Sequence, residues 1–361
     1  MFIFGLINRI VSMKISAYIT YIRLNWRTLL KRYFKRYVWP PPRFWREREA
    51  VVMVDGTKWH GGLTDRFRII LSVYSYCKAK GIRFRLYYRF PNSLTEYLSH
   101  NEYDWRISPG EITYNFLDSK NIYLYVKVMP ELEKYRAYPG VGQPISPERL
   151  QLAREQNRTV NNNLHLSALD REFAKKRHRQ YHIYGNSFFA HGHFKPLFEE
   201  LFRPSEYLES KLKAFHETHS EPYESVTLRF QMLLGDCKEG SFEVLDQRQQ
   251  EGLIDKCSKK IEELWRNNYF STPKILVTSD SWRFLSFISQ KEYVYAVPGR
   301  MEHMDFTRNP DVEMNSKPFL DLFLLMRSKR LTQLLTGKMY RSGFPVFAAE
   351  LGEKPYNEIV F

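Results

Sequence analysis

The sequence has few cysteines and no long apolar run. Its 361 residues include three cysteines, Cys77, Cys237 and Cys257, which lie far apart and without C-x-x-C spacing. This excludes a disulfide scaffold and a cysteine-ligated zinc module, and it suits a reducing cytosol. No apolar run approaches the roughly 18 residues that span a bilayer, which excludes an integral channel or transporter. A secretory signal is not expected either, because Arg9 and Lys14 interrupt the segment that would have to be apolar.

Motifs of several enzyme classes are also missing. The sequence has no G-x-S-x-G, H-E-x-x-H or P-loop motif, and no Asp-x-Asp pair of the kind that holds a nucleotide-bound divalent ion. His191 and His193 lie close together but without a cysteine or carboxylate at a standard spacing, so we do not expect a metal site there. The composition is that of a globular protein, with 43% hydrophobic and 26% charged residues, and the length fits two domains.

The excess of positive charge lies in an N-terminal arm. The chain has 55 Lys and Arg against 40 Asp and Glu, and residues 1–50 contribute +9 to the formal charge of +15, together with eleven aromatic residues. Paired cations alternate with paired rings over residues 30–37, and Pro40-Pro41-Pro42 ends any helix there. Such a segment can place rings at the headgroup boundary and cations against anionic lipid.

We therefore expect a cytoplasmic protein that is attached peripherally to the inner face of the cytoplasmic membrane through residues 1–50. Two alternatives remain open for this arm. Phosphate backbones attract the same residue types, so the arm could bind nucleic acid, although we expect this less than membrane binding. It could also be a solvated basic extension.

The rest of the chain predicts an α/β protein with two domains, residues 51–222 and 223–361. Val51–Val54 predicts a buried strand, and a glycine-bearing loop, a helix over 66–80 and a strand over 82–88 follow it. This β–α–β order implies a parallel sheet. The middle, from about 90 to 222, is irregular, with a strand expected at 122–128 and a helix at 198–216. After it, the pattern predicts strands at 225–230, 274–278, 293–297 and 331–336, alternating with helices at 247–267, 282–290, 318–329 and 343–351.

Candidate binding residues follow two of these strands. The loop after Val54 includes Gly61, Gly62, Asp65 and Arg66, and its glycines let backbone amides approach an anion or a hydroxyl-rich sugar. An ordinary capped βα turn explains the same residues equally well. Arg229 ends the strand at 225–230, where it can pair bidentately with a diphosphate or form a surface ion pair.

Two later segments carry further candidates. Ser279 and Asp280 follow the strand at 274–278, where a carboxylate can accept hydrogen bonds from ribose hydroxyls or cap the next helix. The last segment opens the helix at 343–351 and offers N–H groups to an anion. Its candidate residues are Arg341, Ser342, Gly343 and Phe344.

The order of these segments resembles the fucosyltransferase-like superfamily of GT-B glycosyltransferases, the relatives of nodulation-factor and N-glycan-core α-1,6-fucosyltransferases and of protein O-fucosyltransferases. The resemblance covers about residues 51–90 and 224–358. In that family a His-x-Arg-Arg-Gly-Asp-like motif carries the arginine that holds the donor β-phosphate, and Arg229 matches it. The sequence differs in having Thr227 in place of the histidine and Phe230 in place of the second arginine.

The resemblance implies a GT-B-like fold in which two Rossmann-like domains face each other across a cleft, with the acceptor on 51–222 and a nucleotide sugar on 223–361. It implies that fucose passes from GDP-fucose to a hydroxyl of a glycan or lipid-linked glycan, with inversion and without a metal or other cofactor. It also gives Asp280 the nucleoside contact, and gives phosphate contacts to the Ser342–Phe344 loop and the Gly61-Gly62 loop.

Two catalytic roles complete this expectation. Arg229 would stabilise the departing diphosphate, and Asp236, or Glu239 as a second choice, would accept the proton of the acceptor hydroxyl. Two other functions stay open. The chain could be a non-catalytic nucleotide- or carbohydrate-binding protein on the same fold, or a basic nucleic-acid-binding protein.

Overall fold

Two parallel β-sheets, each covered by helices, make up the computed structural model of the chain. It describes residues 47–124, 147–175, 178–185, 194–219, 222–231, 233–235, 243–297 and 310–361, together with residues 299, 304, 305 and 307. The architecture is the α/β class that the sequence predicts. Within these residues no helix is both long enough and apolar enough to cross a membrane. Nearly all of the predicted basic arm, residues 1–46, lies outside them.

The first part of the chain builds a four-stranded sheet. Its elements are β1 (Glu49–Val54), α1 (Leu63–Lys80), β2 (Arg83–Tyr88), β3 (Leu98–His100), β4 (Ser119–Tyr123), α2 (Pro147–Ala174), β5 (Gln180–Tyr184), α3 (Phe194–Leu201), β6 (Phe202–Pro204) and α4 (Glu206–Thr218). The sheet has the order β2-β1-β5-β4, and all of its pairs are parallel. Val52 lies opposite Leu86 on one side and Ile183 on the other, so apolar side chains continue across the strands.

The predicted β–α–β unit is confirmed at the start of this sheet. All six residues of β1 are buried, as expected for a central strand of a parallel sheet. Helix α1 ends at Gly81, whose φ of 61° places it in the left-handed region, and its N–H donates to the carbonyl of Cys77. A glycine adopts this conformation without steric cost, and the chain turns there into β2.

The middle of the chain is more regular than the sequence predicts. Helix α2 runs for 28 residues through the part predicted to be irregular. The segment predicted to be helical at 198–216, with Pro204 opening its later part, contains two helices, because β6 separates α3 from α4 and pairs with β3 in an antiparallel ribbon. Pro204 ends β6, and the hydroxyl of Ser205 accepts a hydrogen bond from the Leu208 N–H to begin α4. The strand predicted at 122–128 begins earlier, at Ser119.

The second part of the chain builds a five-stranded parallel sheet with the order β11-β10-β7-β8-β9. Its elements are β7 (Glu224–Leu228), α5 (Gln247–Arg266), β8 (Ile275–Ser279), α6 (Trp282–Ile288), β9 (Val294–Ala296), α7 (Val312–Arg327), β10 (Leu331–Leu335), α8 (Phe344–Gly352) and β11 (Tyr356–Val360). Every predicted strand and helix of this part is present.

Two elements of this part differ from the prediction. Helix α7 begins at Val312 rather than at Pro318, because Asp311 caps it by accepting from the N–H groups of Glu313 and Met314. Strand β11, which the sequence did not predict, pairs in parallel with β10 at one edge of the sheet.

One hydrophobic cluster extends across both sheets. Helix α7 packs against α4, and helix α8 packs against α1 and α3 as well as against β10 and β11 of its own sheet. Phe67 of α1 contacts Phe319 of α7, with ring centroids 6.4 Å apart, and Phe347 of α8 at 6.2 Å. All three rings belong to the same cluster as Leu331 of the second sheet. The predicted boundary at 222–223 separates the two sheets and is crossed by this cluster, whereas a second cluster, which includes Val226 and Phe284, belongs to the second part alone.

The predicted start of the first domain at residue 51 is two residues too late. β1 begins at Glu49, whose carboxylate accepts from Arg179 Nη1 at 2.6 Å and from Gln180 Nε2 at 2.9 Å. Glu49 is buried, so these bonds compensate for its lost hydration. Glu49 and Ala50 thus belong to the folded body rather than to the arm.

Candidate functional site

Arg229 and Asp280 lie side by side at the carboxyl edge of the second sheet. β7 and β8 are adjacent and parallel, with Leu228 opposite Ser279, so the residues that follow these two strands are neighbours. Ligands of parallel α/β sheets bind beyond this edge. The structure therefore brings together two of the residues that the sequence predicted for the donor site.

The carboxylate of Asp280 holds the loop that carries Arg229. One oxygen accepts from the Phe230 N–H at 2.8 Å, and the other accepts from the Gln231 N–H at 2.9 Å. Burial raises the pKa of Asp280, while the charge of Arg229 and the two backbone N–H groups oppose that rise. Asp280 therefore fixes the backbone on either side of the Phe230–Gln231 peptide, and its contact with a nucleoside stays a prediction. Ser279 lies next to it, fully buried, and accepts from the Ser281 N–H at 3.1 Å.

The side chains of Arg229 and Phe230 pack in different environments. The Phe230 ring is fully buried and packs on Phe284, with centroids 5.1 Å apart. The guanidinium of Arg229 lies over the ring of Phe344, 4.7 Å from its centroid, at the first residue of α8. A guanidinium against an aromatic face is a favourable cation–π contact, and it fixes the plane of the charged group.

The loop before α8 is tied to the same place. The N–H of Tyr340 donates to the carbonyl of Arg229 at 3.0 Å. The Ser342 hydroxyl accepts from the Phe344 N–H at 3.1 Å. With its amide oriented to satisfy both partners, Gln333 of β10 accepts from the Ser342 N–H at 2.9 Å and donates to the Ser342 carbonyl at 3.3 Å. Arg229 and the predicted phosphate loop thus form one connected unit.

Arg341 points toward another partner. Its Nη2 lies 2.7 Å from the carboxylate of Glu358 in β11, and its side chain is partly exposed. This ion pair draws the guanidinium toward the edge strand. A phosphate contact for Arg341 stays a prediction, and it would compete with Glu358.

The glycine loop of the first part holds a carboxylate of the chain itself. Asp305 Oδ2 accepts from the Gly61 N–H at 2.5 Å and from the His60 N–H at 3.1 Å. Asp305 Oδ1 also lies 2.8 Å from Arg66 Nη2, in a pair with almost no exposed surface. These amides thus bind a carboxylate of the chain itself, so the predicted contact of the glycine loop with a ligand stays a prediction and would compete with Asp305.

Arg66 is committed to structural contacts. It is fully buried, and it donates to the Gly61 carbonyl at 3.0 Å, the Tyr88 hydroxyl at 2.9 Å and the Phe90 carbonyl at 2.6 Å, as well as to Asp305. A contact between Arg66 and a donor would require this set of bonds to change. Asp65 is more exposed and lies 3.9 Å from Arg68, its partner one turn further along α1.

Asp55, at the carboxyl edge of the first sheet, was not among the predicted site residues. Asp55 follows β1 and accepts from the Tyr184 hydroxyl at 3.1 Å and from the N–H of Thr57 at 3.0 Å. Burial alone would raise the pKa of Asp55, but hydrogen bonds from His60, Thr57 and Tyr184 outweigh it and hold the pKa well below its usual range. Trp59 in the same loop is 65% exposed. A carboxylate directly after a buried strand was the available signal in the sequence.

Some of the predicted site residues fall outside the part of the chain that the structure describes. Asp236 and Glu239, the candidate proton acceptors, are outside the described residues, and so are His191 and His193. Among the residues that the structure describes, no group of three or more His, Cys, Asp or Glu side chains could hold a metal ion.

Solved structures of three fucosyltransferases are similar to the chain. NodZ α-1,6-fucosyltransferase from Bradyrhizobium, soaked with GDP-fucose, has a TM-score of 0.48 and 13% identity, over 85% of this chain and 93% of NodZ. POFUT1 in complex with GDP has a TM-score of 0.43 and 11% identity, over 87% of this chain and 98% of POFUT1. Arabidopsis thaliana FUT1 with GDP has a TM-score of 0.47 and 12% identity, over 94% of this chain and 77% of FUT1.

All three are fucosyltransferases, the class of protein that the order of the sequence motifs resembles. Their sequence identity to this chain is low, at 11 to 13%. No family model matches the chain, and no curated protein matches its sequence.

Proposed function

We propose that the protein is a glycosyltransferase that takes its sugar from a nucleoside-diphosphate donor. The observation that carries this proposal is the position of Arg229 at the carboxyl edge of the second sheet, against Phe344 and tied to the Ser342 loop. A guanidinium at this edge, with a hydroxyl loop and the start of a helix beside it, suits a diphosphate. The order of the motifs supports GDP-fucose as the preferred donor.

The chemistry follows from the permanent charge of Arg229. When the bond between the sugar and the diphosphate breaks, negative charge develops on the leaving phosphate oxygen. A guanidinium that is already fixed in place stabilises that charge without reorganisation. Because Arg229 supplies the positive charge itself, we propose that transfer requires no metal ion.

The acceptor is the second part of the proposal. The acceptor hydroxyl attacks the anomeric carbon from the face opposite the diphosphate, so the configuration inverts. Its proton goes to a carboxylate, for which Asp236 is the first candidate and Glu239 the second. We propose a glycan or lipid-linked glycan as the acceptor, bound on the side of the first sheet.

The location of the protein is proposed from composition alone. Residues 1–46 contain ten Lys or Arg residues, which alternate with aromatic residues. Each Lys or Arg near an anionic surface contributes about 1 kcal/mol to binding. We propose that this arm holds the enzyme against the inner face of the cytoplasmic membrane, where lipid-linked acceptors would be within reach.

A donor panel tests the proposed activity. The purified chain is incubated with GDP-, UDP- and other nucleotide sugars, and the released nucleotide is measured. We expect release from GDP-fucose, and turnover of UDP-sugars alone would overturn the choice of donor. Calorimetric binding of GDP without turnover of any donor would instead indicate the non-catalytic binding protein.

A variant of Arg229 tests the residue that carries the proposal. Arg229→Lys keeps the charge but cannot form the bidentate fork, so we expect about 150-fold slower turnover, a loss of about 3 kcal/mol in transition-state stabilisation. Arg266→Lys is the matched control, because Arg266 is exposed on α5 and pairs only locally with Glu262. Wild-type turnover in Arg229→Ala would contradict the proposal.

A further inference from the structure

A second arginine, from the first part of the chain, reaches the same helix start as Arg229. Arg68 lies on α1, and its guanidinium is next to Gly343, the residue before α8. A Cβ placed on Gly343 would lie 3.2 Å from Arg68 Nη1 and 3.4 Å from Nη2. Arg68 also lies over the ring of Phe347, 5.7 Å from its centroid. The Arg68 side chain is 13% exposed, so part of it remains accessible to solvent.

Two guanidinium groups therefore flank one short piece of backbone. Arg229 packs on Phe344 from the second sheet, and Arg68 packs on the neighbouring Gly343 from α1. Like charges close to one another repel, and the start of a helix adds positive potential rather than relieving it. The carboxylate of Asp65 lies 3.9 Å from Arg68 and offsets part of this charge. A dianionic group placed between the two arginines would be bound by both.

Gly343 is explained by this contact rather than by its backbone. Its φ of −77° and ψ of −7° are open to any residue, so no left-handed conformation requires glycine here. What the missing side chain provides is room, since any Cβ would press on the guanidinium of Arg68. The sequence thus keeps the path between α1 and the start of α8 clear for Arg68.

We propose that Arg68 is a second binding residue for the diphosphate of the donor, so that the two phosphates are held between α1 and the second sheet. This inference rests on the proposed function. Phe230 stands where the resembled family has a second arginine, but its ring is buried in the core and brings no charge to this edge. We propose that Arg68 supplies the positive charge that this substitution removes. A diphosphate carries more charge than one guanidinium neutralises, and Arg68 of α1 supplies a second cation.

The test compares GDP with GMP by calorimetry, because only GDP has the β-phosphate. We expect Arg68→Gln to weaken GDP binding about 10- to 100-fold, the usual effect of one charged hydrogen-bonding group, and to change GMP binding much less. Arg68→Lys should fall between the wild type and Arg68→Gln. Arg106→Gln is the matched control, because Arg106 is an exposed arginine of the first part that pairs with Asp104.

A second variant guards against a loss of packing around Arg68. Gly343→Ala keeps Arg68 but presses on its guanidinium, and we expect several-fold weaker GDP binding with an unchanged melting temperature. If the wild type binds GDP and Arg229→Lys does not, while Arg68→Gln and Gly343→Ala bind it normally, the role of Arg68 is disproved and the proposed function stands. If Arg68→Gln weakens GDP and GMP equally, Arg68 does not act on the β-phosphate. If the wild type binds no nucleotide, the proposed function fails instead.

Discussion

The guanidinium of Arg66 and the carboxylate of Asp305 form a buried ion pair, although 239 positions separate them in the chain. Asp305 precedes α7 in the second part, and Arg66 lies in the first turns of α1. The same carboxylate also accepts from the N–H groups of His60 and Gly61. One residue of the second part thus fixes both the glycine loop and the helix that follows it.

Removing Asp305 should destabilise the whole protein. Asp305→Ala leaves Arg66 buried without its carboxylate, and breaking a buried pair in this way costs about 3–5 kcal/mol. Urea denaturation measures the loss in the free energy of unfolding. Glu263→Ala is the control, because Glu263 forms an exposed pair with Lys260 of the same helix and should change stability far less. Equal losses in the two variants would contradict a special role for Asp305.

His182 should make the protein sensitive to mild acid. Its ring lies buried in the first sheet, with Nε2 at 2.6 Å from Gln180 Oε1 and Nδ1 at 3.2 Å from Asn121 Oδ1. Burial lowers the pKa of His182 to about 4, with Asp55 acting to raise it and Arg179 to lower it. The unfolded chain binds a proton near pH 6.5, whereas the folded chain does not until about pH 4.

The contribution of His182 is therefore complete above pH 6.5 and is lost as the pH falls from 6.5 to 4. The loss should reach at most about 1.4 kcal/mol per pH unit. The measurement is the free energy of unfolding of the wild type minus that of His182→Gln between pH 8 and pH 4. We expect a constant difference above pH 7 and a falling one below it. Parallel curves over the whole range would show that His182 does not titrate in this way.

Asp280 should increase the affinity for GDP by fixing the backbone after Arg229. Asp280→Asn keeps the shape, but one of the two accepting oxygens becomes an NH2 group, which cannot accept, so one of the bonds from Phe230 N–H and Gln231 N–H is lost and the loop that carries Arg229 loosens. We expect GDP affinity to fall about tenfold, roughly the effect of one lost hydrogen bond to a charged group. Asp104→Asn is the control, because Asp104 also accepts from a backbone N–H, that of Arg106, but belongs to the first part of the chain. Unchanged GDP affinity in Asp280→Asn would mean that Arg229 is positioned without it.

Transfer should survive removal of divalent metal. In the proposed mechanism Arg229 and the Ser342 loop stabilise the diphosphate, so no bridging ion is required. Release of GDP is measured with excess chelator and again after manganese or magnesium is added back. We expect equal rates. Complete loss with chelator, reversed by either metal, would overturn this part of the proposal.

Removing residues 1–46 should separate membrane binding from catalysis. The truncation keeps Glu49 and all of β1, unlike a cut at residue 50. We expect the shortened protein to bind GDP as before and to bind anionic vesicles much more weakly. Vesicle binding of the full chain should also weaken as salt rises, because screening shortens the reach of the charges. Unchanged vesicle binding after truncation would place any membrane contact elsewhere.

Local patterns were enough to predict most of the second sheet. Its strands are short apolar runs, and its helices have apolar residues at helical spacing and polar caps, such as the Asp246–Gln249 box of α5. The position of Arg229 beside Asp280 could also be predicted. In a parallel sheet the residues that follow neighbouring strands meet at one edge, so their placement needs only the strand order.

Contacts between distant parts of the chain could not be predicted in this way. Asp305 has no sequence neighbours that mark it as the partner of Arg66, and nothing near Gly343 indicates that a side chain of α1 lies against it. Helix α2 was missed for a different reason. It contains Asn161, Asn162 and Asn163 in succession, residues of low helix propensity, and it buries Ala168, Leu169 and Phe173 in the core.

The hydrophobic cluster that spans both sheets limits which fragments of the chain can fold alone. Because Phe319 and Phe347 pack on Phe67, a fragment that begins at β7 would carry two helices with apolar faces and nothing to cover them. Such a fragment is a poor reagent for nucleotide-binding studies. A chimaera that grafts the second half of this chain onto another first half must transfer the surfaces of α1, α3 and α4 as well.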